Sequence, residues 1–474
     1  MNAEGASQHT RVEKDFLGEK AVPSDAYWGV QTQRAVENFP ISGHGPHPAL
    51  VRATVLVKKA AALANKDCGA LDARLADAIV RAADEVLAGK LADQFVVDVY
   101  QAGAGTSHHM NVNEVLANRA NELLGAARGA YDPVHPNNHV NYGQSTNDVI
   151  PTAIRIAALL MLEDLCPALD ELAAAFARKA DDFKEIVKSG RTHLQDATPV
   201  TLGQEFGAYA ETIRRQIGQL RKAADMLLPL GIGGSAVGTG LNTTPGYREK
   251  VVAYLAELTR LPVTNSENLF EAMQSMAPMT ALSGALRDLA VELGRIAADL
   301  RLLSSGPRTG FAEIKLPEVQ PGSSIMPGKI NPVIAEMTEM VCTRVMGNDV
   351  TVAIAARGGQ LELNVMMPLI AATLCESLQI LTNAVRVLTV RCIEGITADA
   401  GRCRAFAERS VALATVLNPI LGYHAVADIV RESLATGQSP RDIIVKRGLL
   451  PLDEVERIFS AKAMTHLEPR EGTA

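Results

Sequence analysis

LSGALRDLAVELGRIAADLRLL, residues 282–303, decides the architecture. Leu282, Leu286, Leu289, Leu293, Ile296, Leu300 and Leu303 recur at alternating steps of four and three. That spacing sets them along one face of a helix, with the seven-residue period of helices that pack at a shallow angle. Phe206, Ala210, Ile213, Ile217, Leu220, Ala224 and Leu227 repeat the pattern, as do Leu378, Leu381, Val385, Leu388 and Cys392. A looser stripe, Leu165, Leu169, Leu172 and Phe176, contains Pro167 as a candidate kink. Each stripe predicts a helix of roughly 30 residues, or ~45 Å at 1.5 Å per residue. Aromatic residues are only 4% of the chain, which favours helix-on-helix packing over a sheet core. The expected fold is mainly α, with a central bundle of long helices. Four such stripes in one chain suggest that some apolar surface is covered by other copies.

The rest of the 474-residue chain bounds the possibilities. With 47% hydrophobic and 21% charged residues it reads as a soluble globular protein with room for two or three domains. A net charge of −7 argues against a broad nucleic-acid or anionic-membrane surface. No apolar run of membrane-spanning length is evident, and the first residues, MNAEGASQHTRVEKDFLG, have no apolar core of a secretory signal. Six cysteines, Cys68, Cys166, Cys342, Cys375, Cys392 and Cys403, show no C-x-x-C spacing and read as idle thiols in a reducing compartment. A cytoplasmic location is expected.

Polar segments rich in Gly, Pro and Asn separate the stripes: 101–111, 135–148, 190–199, 231–246 and 316–332. Such segments between rigid helices are where binding groups gather. The expected domains are 1–144, a central helical bundle over 145–397, and a small helical domain over 398–474.

Several motifs fail on inspection. GIGGSAVGTG (231–240) lacks the Lys-Ser/Thr ending of a phosphate loop and has no βαβ context, so it reads as a tight connection or a wall of a site. His135 and His139 are four apart, but Pro136 lies between them and no Cys or acidic residue completes a metal set. Ser323 and Ser324 do not sit in G-x-S-x-G. Neither a metal nor an organic cofactor is expected.

GSSIMPGKINP (322–332) is the informative segment. Gly322 and Gly328 permit unusual backbone angles, and its prolines limit the alternatives. Successive backbone N–H groups around two serines can cradle an anion, with Lys329 adding charge and Asn331 adding donors. The residues describe a mobile anion-binding lid that carries a hydroxyl.

This segment resembles the signature of the fumarase/aspartase superfamily. GAGTS (103–107), GQSTND (143–148), GRTHLQDA (190–197) and AVGTGLNT (236–243) resemble the family's other blocks, in the family's order, and the similarity runs from about Glu13 to His466. Thr146, Ser107 and the flanks of 316–333 look like the aspartase branch, whereas GGSAVGTGLNTTPG leans towards class II fumarase. His109 stands where relatives usually carry Asn, and Met367 where many aspartases carry Glu.

The resemblance implies a three-domain helical fold, a homotetramer, and active sites drawn from three subunits. It implies elimination of ammonia from L-aspartate to give fumarate, with hydration of fumarate as the alternative. Removing a C3 proton from aspartate leaves a carbanion that is tolerable only as an enediolate on the β-carboxylate, so donors must converge there. By resemblance, Thr106, Ser145, Thr146 and Ser324 hold that carboxylate, and Thr192, Lys329 and Asn331 hold the other. Asn147 and His193 approach the amino group, Glu336 orients His193, and Ser323 is the general base, supported by Lys329. A rival of another class is an inactive structural homologue, since this superfamily has been recruited as a lens protein. The intact Ser323, Lys329, Asn331, Thr192 and His193 set argues against that.

Overall fold

A computed structural model describes residues 9–465. It is 63% helical, as the stripes require. The described chain begins with an antiparallel ribbon, β1 (Thr10–Asp15) and β2 (Gly18–Pro23). Then follow α1 (Val30–Asn38), α2 (Pro48–Asp67), α3 (Ala73–Leu87), α4 (Thr106–Leu123) and α5 (Thr146–Asp182). A second ribbon, β3 (Val187–Thr192) and β4 (Gln195–Thr201), leads into α6 (Leu202–Asp225). Next come α7 (Tyr247–Thr259), α8 (Leu269–Gln274), α9 (Ala277–Leu303), α10 (Val333–Arg357) and α11 (Met367–Arg391). The C-terminal helices are α12 (Ala400–Arg409), α13 (Asn418–Thr436), α14 (Pro440–Arg447), α15 (Leu452–Ile458) and α16 (Ala461–Thr465).

The stripes are the buried faces. Every stripe residue on α9 is buried, as are Leu165, Leu169, Leu172 and Phe176 on α5 and Leu378, Leu381, Val385 and Leu388 on α11. Truncating one such leucine to Ala costs about 2–5 kcal/mol. The 37 residues of α5 form one helix of about 55 Å that continues through Pro151 and Pro167, so no break falls at Pro167.

The chain divides into two compact units that are interleaved in sequence. The first comprises 1–166, 218–290 and 343–382. Its core includes Val55 of α2, Ile79 and Ala82 of α3, and Val112, Val115 and Leu116 of α4. Asp72 caps α3 by accepting the N–H groups of Arg74 and Leu75. Glu114 caps α1 from a distance: its carboxylate accepts the N–H groups of Gly29, Gln31 and Thr32 and the Thr32 hydroxyl.

The second unit comprises 167–217, 291–342 and 383–474. Its C-terminal helices close over Leu417, Ile429, Ile443, Ile444 and Val455. Ser439 caps α14, and Gly448 ends it at φ 60°.

Two segments, Met367–Gly395 and Val411–Thr436, are long and apolar enough to pass as membrane spans by length and composition, which the sequence reading did not register. In the first, the stripe of α11 and its neighbours Ile370 and Leu374 are buried, while Val387 and Val390 are exposed. The second is interrupted at Gly422, which has φ 77° and ψ 157°.

Candidate active site

In the first unit, GAGTS makes a tight turn into α4. Ala104 and Gly105 both have positive φ, 64° and 92°. A side chain at Gly105 would press on Ile150 of α5 at 3.2 Å, so the glycine lets the two helices start side by side. Thr106 is thereby the exposed first residue of α4. His109, one turn on, places Nδ1 2.8 Å from Thr146 Oγ1 at the start of α5. Ser145 and Asp148 cap α5 reciprocally. Ser145 Oγ accepts the Asn147 N–H, and Asp148 Oδ1 accepts the Ser145 N–H at 2.9 Å.

Asp148 also anchors the 231–243 loop, since its Oδ2 accepts the N–H groups of Gly233 and Ser235 at 3.1 and 3.0 Å. Burial pushes this carboxyl up to about 6, while those N–H groups and Lys58 pull it back. Asn147 Nδ2 donates to the Ala236 carbonyl at 2.8 Å, which leaves Oδ1 as an acceptor. GIGGSAVGTG is therefore packed as a wall against the start of α5. Thr106, Ser145, Thr146 and Asn147 lie at or beside two adjacent helix N-termini, where backbone N–H groups and the helix dipoles favour a carboxylate.

In the second unit, Thr192 and His193 sit at the tip of the β3–β4 hairpin. Its two turn residues, His193 and Leu194, have φ of 55° and 57°. A two-residue turn with both centres at positive φ usually takes Asn-Gly. Using His-Leu costs about 1–2 kcal/mol per residue, and such strain recurs at functional sites. Leu194 is 65% exposed. The hairpin's base is firmly tied. Buried Lys188 pairs with Glu313 and Glu205, both at 2.8 Å, and Arg191 pairs with Glu313 and lies over the Phe311 ring.

The lid is closed by its own backbone. Gly322 N–H donates to the Lys329 carbonyl at 2.8 Å, and Asn331 Nδ2 donates to the Gly322 carbonyl at 2.9 Å. A Cβ at Gly322 would lie 2.6 Å from the Lys329 oxygen. Ser323 Oγ accepts two N–H groups, from Ile325 and Met326, each at 3.2 Å. Ser324 and Lys329 are exposed, and Glu336 is half-buried in the first turn of α10. Among the described residues, no hydrogen bond joins His193 to Glu336.

The structure also displays groups the sequence reading missed. His109, Asn141 and Gln144 gather around Lys58. The signal was the Lys58-Lys59 pair inside the otherwise apolar run VLVKKAAALA of α2. His135 and His139 serve as local caps: His135 Nδ1 accepts the N–H groups of Asn137 and Asn138, and His139 Nδ1 accepts the His135 N–H. Among the described residues, no group of three or more His, Cys, Asp or Glu side chains is arranged to hold a metal.

Comparison with known proteins identifies the family. A lyase family model matches residues 18–347, and a fumarase C C-terminal model matches 413–466. The aspartate ammonia-lyase of Bacillus subtilis (strain 168) is 48% identical, with 96% of each chain covered. The class II fumarate hydratase of Halobacterium salinarum is 50% identical, over 97% of this chain and 98% of that one. Among solved structures, a fumarate lyase:delta crystallin from Brucella melitensis bound to cobalt superposes with a TM-score of 0.94 at 48% identity, covering 97% of this chain and all of that one. The helical fold, the ordered blocks and these matches together make the chain a lyase of the fumarase/aspartase superfamily.

Proposed function

We propose that this lyase is an aspartate ammonia-lyase, converting L-aspartate reversibly to fumarate and ammonia. The observation that carries the choice is Asn147. One N–H of its amide is held by the Ala236 carbonyl, which fixes the side chain with Oδ1 available as an acceptor beside the remaining N–H. An acceptor suits the donor-only ammonium of aspartate better than the hydroxyl of malate, which can also accept. Thr146 and Ser107, which resemble the aspartase blocks, support the same choice.

Ser323 takes the C3 proton as an alkoxide. The N–H groups of Ile325 and Met326 favour its charged form, and Lys329 adds positive charge from the same loop. The electron pair released from the C3–H bond moves into the β-carboxylate as an enediolate. Thr106, Ser145, Thr146 and Ser324 donate to it, each such donor typically supplying ~3 kcal/mol. Collapse of the enediolate forms the C2–C3 double bond and breaks the C2–N bond, whose electron pair leaves with ammonia. Thr192, Lys329 and Asn331 hold the second carboxylate, and His193 attends the amine with Asn147, with Glu336 orienting it where neighbouring copies bring the two together. This scheme assigns no step to a metal or an organic cofactor.

The working form in this reading is a cytoplasmic homotetramer in which neighbouring copies complete each site. On α10 the residues Met340, Thr343, Gly347, Val350 and Ile354 follow a three-four spacing and are exposed, while Cys342, Val345, Val352 and Ala355 are buried on its other side. A helix apolar on both faces is suited to a bundle built between copies. The second reading, class II fumarate hydratase, is favoured by the 50% identity to the Halobacterium enzyme. Following fumarate absorbance on adding L-aspartate and then L-malate separates the two. Faster turnover of malate refutes the proposal.

A further inference from the structure

A buried polar chain joins α2 to the starts of α4 and α5, and the mechanism above makes no use of it. Lys58 of α2 is fully buried. Its Nζ lies 2.6 Å from His109 Nε2, 2.9 Å from Asn141 Oδ1 and 2.9 Å from Gln144 Oε1. The two amides are oriented independently. Asn141 Nδ2 donates to the Gln144 carbonyl, and Gln144 Nε2 donates to the carbonyls of Val140 and Tyr142. Each therefore turns its oxygen to Lys58. An ammonium has three N–H donors and no acceptor, and three acceptors surround this one.

The donor pattern then propagates. His109 Nε2 must present its lone pair to Lys58, so the proton of the neutral imidazole resides on Nδ1. That N–H donates to Thr146 Oγ1, 2.8 Å away. The Thr146 hydroxyl has one proton of its own, which is left to point away from His109. We infer that Lys58, acting through His109, positions Thr146 as a one-way donor to the substrate carboxylate on which charge develops. The inference rests on reading Thr146 as a carboxylate-binding residue.

Geometry assigns the Lys58 proton: burial works against the charge that the three surrounding acceptors and Asp148 favour. Burial and the Lys58 charge both hold His109 neutral. Burial also pushes Lys58 down, and the buried Asp148 carboxylate opposes that. With a neutral Lys58 amine the chain would run backwards: Thr146 would donate to His109 and turn only lone pairs to an anion. An Asn at 109 supplies the same two functions as the Nδ1–H imidazole, an oxygen for Lys58 and an N–H for Thr146. A Leu supplies neither.

Neutron diffraction from deuterium-exchanged crystals of the wild-type protein reads the chain directly and needs no variant to fold. The expected map has three deuterons on Lys58 Nζ, one on His109 Nδ1, none on Nε2, and the Thr146 deuteron directed away from His109. A deuteron on Nε2, or one shared from Thr146 to Nδ1, overturns the inference. In kinetics, His109→Asn should stay within about 3-fold of wild type, while His109→Leu should lose about 10²-fold in kcat with little change in KM. Lys58→Met combined with His109→Leu should be no worse than the poorer single variant, because both break one chain. Equal losses in His109→Asn and His109→Leu, or a loss confined to KM, also overturn it. Turnover of L-malate in place of L-aspartate would refute the substrate assignment and leave the neutron result standing.

Discussion

Ser323 Oγ receives the backbone N–H of Met326 at 3.2 Å, and that of Ile325 at the same distance. Two fixed donors on one hydroxyl oxygen favour its anion, which a serine acting as a base requires. The donors come from the turn that the hydroxyl itself begins, so the loop's shape and the base's strength are one property.

Ser323→Ala should reduce turnover by about 10³-fold or more, in the upper part of the range for a lost acid–base group. The melting temperature should stay nearly unchanged, because Ser323 lies in a loop outside the helix stripes. Turnover and thermal melts on the same preparation check this. Near wild-type turnover would remove Ser323 from the mechanism.

Gly322→Ala should cripple the lid without unfolding the protein. The new methyl would meet the Lys329 oxygen at 2.6 Å and the Asn331 nitrogen at 3.0 Å, both backbone atoms that cannot swing aside. A loss of about 10²-fold in kcat/KM is expected from misplacing the loop's groups by about 1 Å. A variant as active as wild type would show that the Gly322–Lys329 closure has no part in catalysis.

The helices were legible because burial writes a period of three and four into the sequence, and every position of the Leu282–Leu303 stripe is buried. The β3–β4 hairpin was not legible. Its His193-Leu194 turn lacks the Gly and Asn that mark such turns, and its base is tied by Lys188 and Arg191 to Glu313, which is 122 residues beyond Arg191 in sequence. The blocks of the site could be read from their density of Gly, Ser, Thr and Asn. The Lys58–His109 pair could not, because its partners are 51 residues apart and each resembles a core residue of its own helix. The roles of His135 and His139 as caps emerged only with the backbone N–H groups in place.

Mixed refolding tests whether sites are shared. Ser323→Ala and Thr106→Ala, or Ser323→Ala and His193→Ala, should each be inactive alone. Unfolded together and refolded as a mixture, a pair should recover up to about a quarter of wild-type activity if closed symmetry brings the two blocks from different copies. A mixture as inactive as its parents, with subunit exchange demonstrated by mass, would show that each site belongs to one chain.

The central claim is that ammonia, and not water, is the group eliminated. The most direct measurement is kcat/KM for fumarate formation from L-aspartate and from L-malate, on one preparation, by absorbance. The account predicts a preference for L-aspartate of about 10²-fold or more, the scale of discrimination when a site's polar groups are matched to one leaving group. A higher kcat/KM with L-malate would contradict it and make the protein a fumarate hydratase.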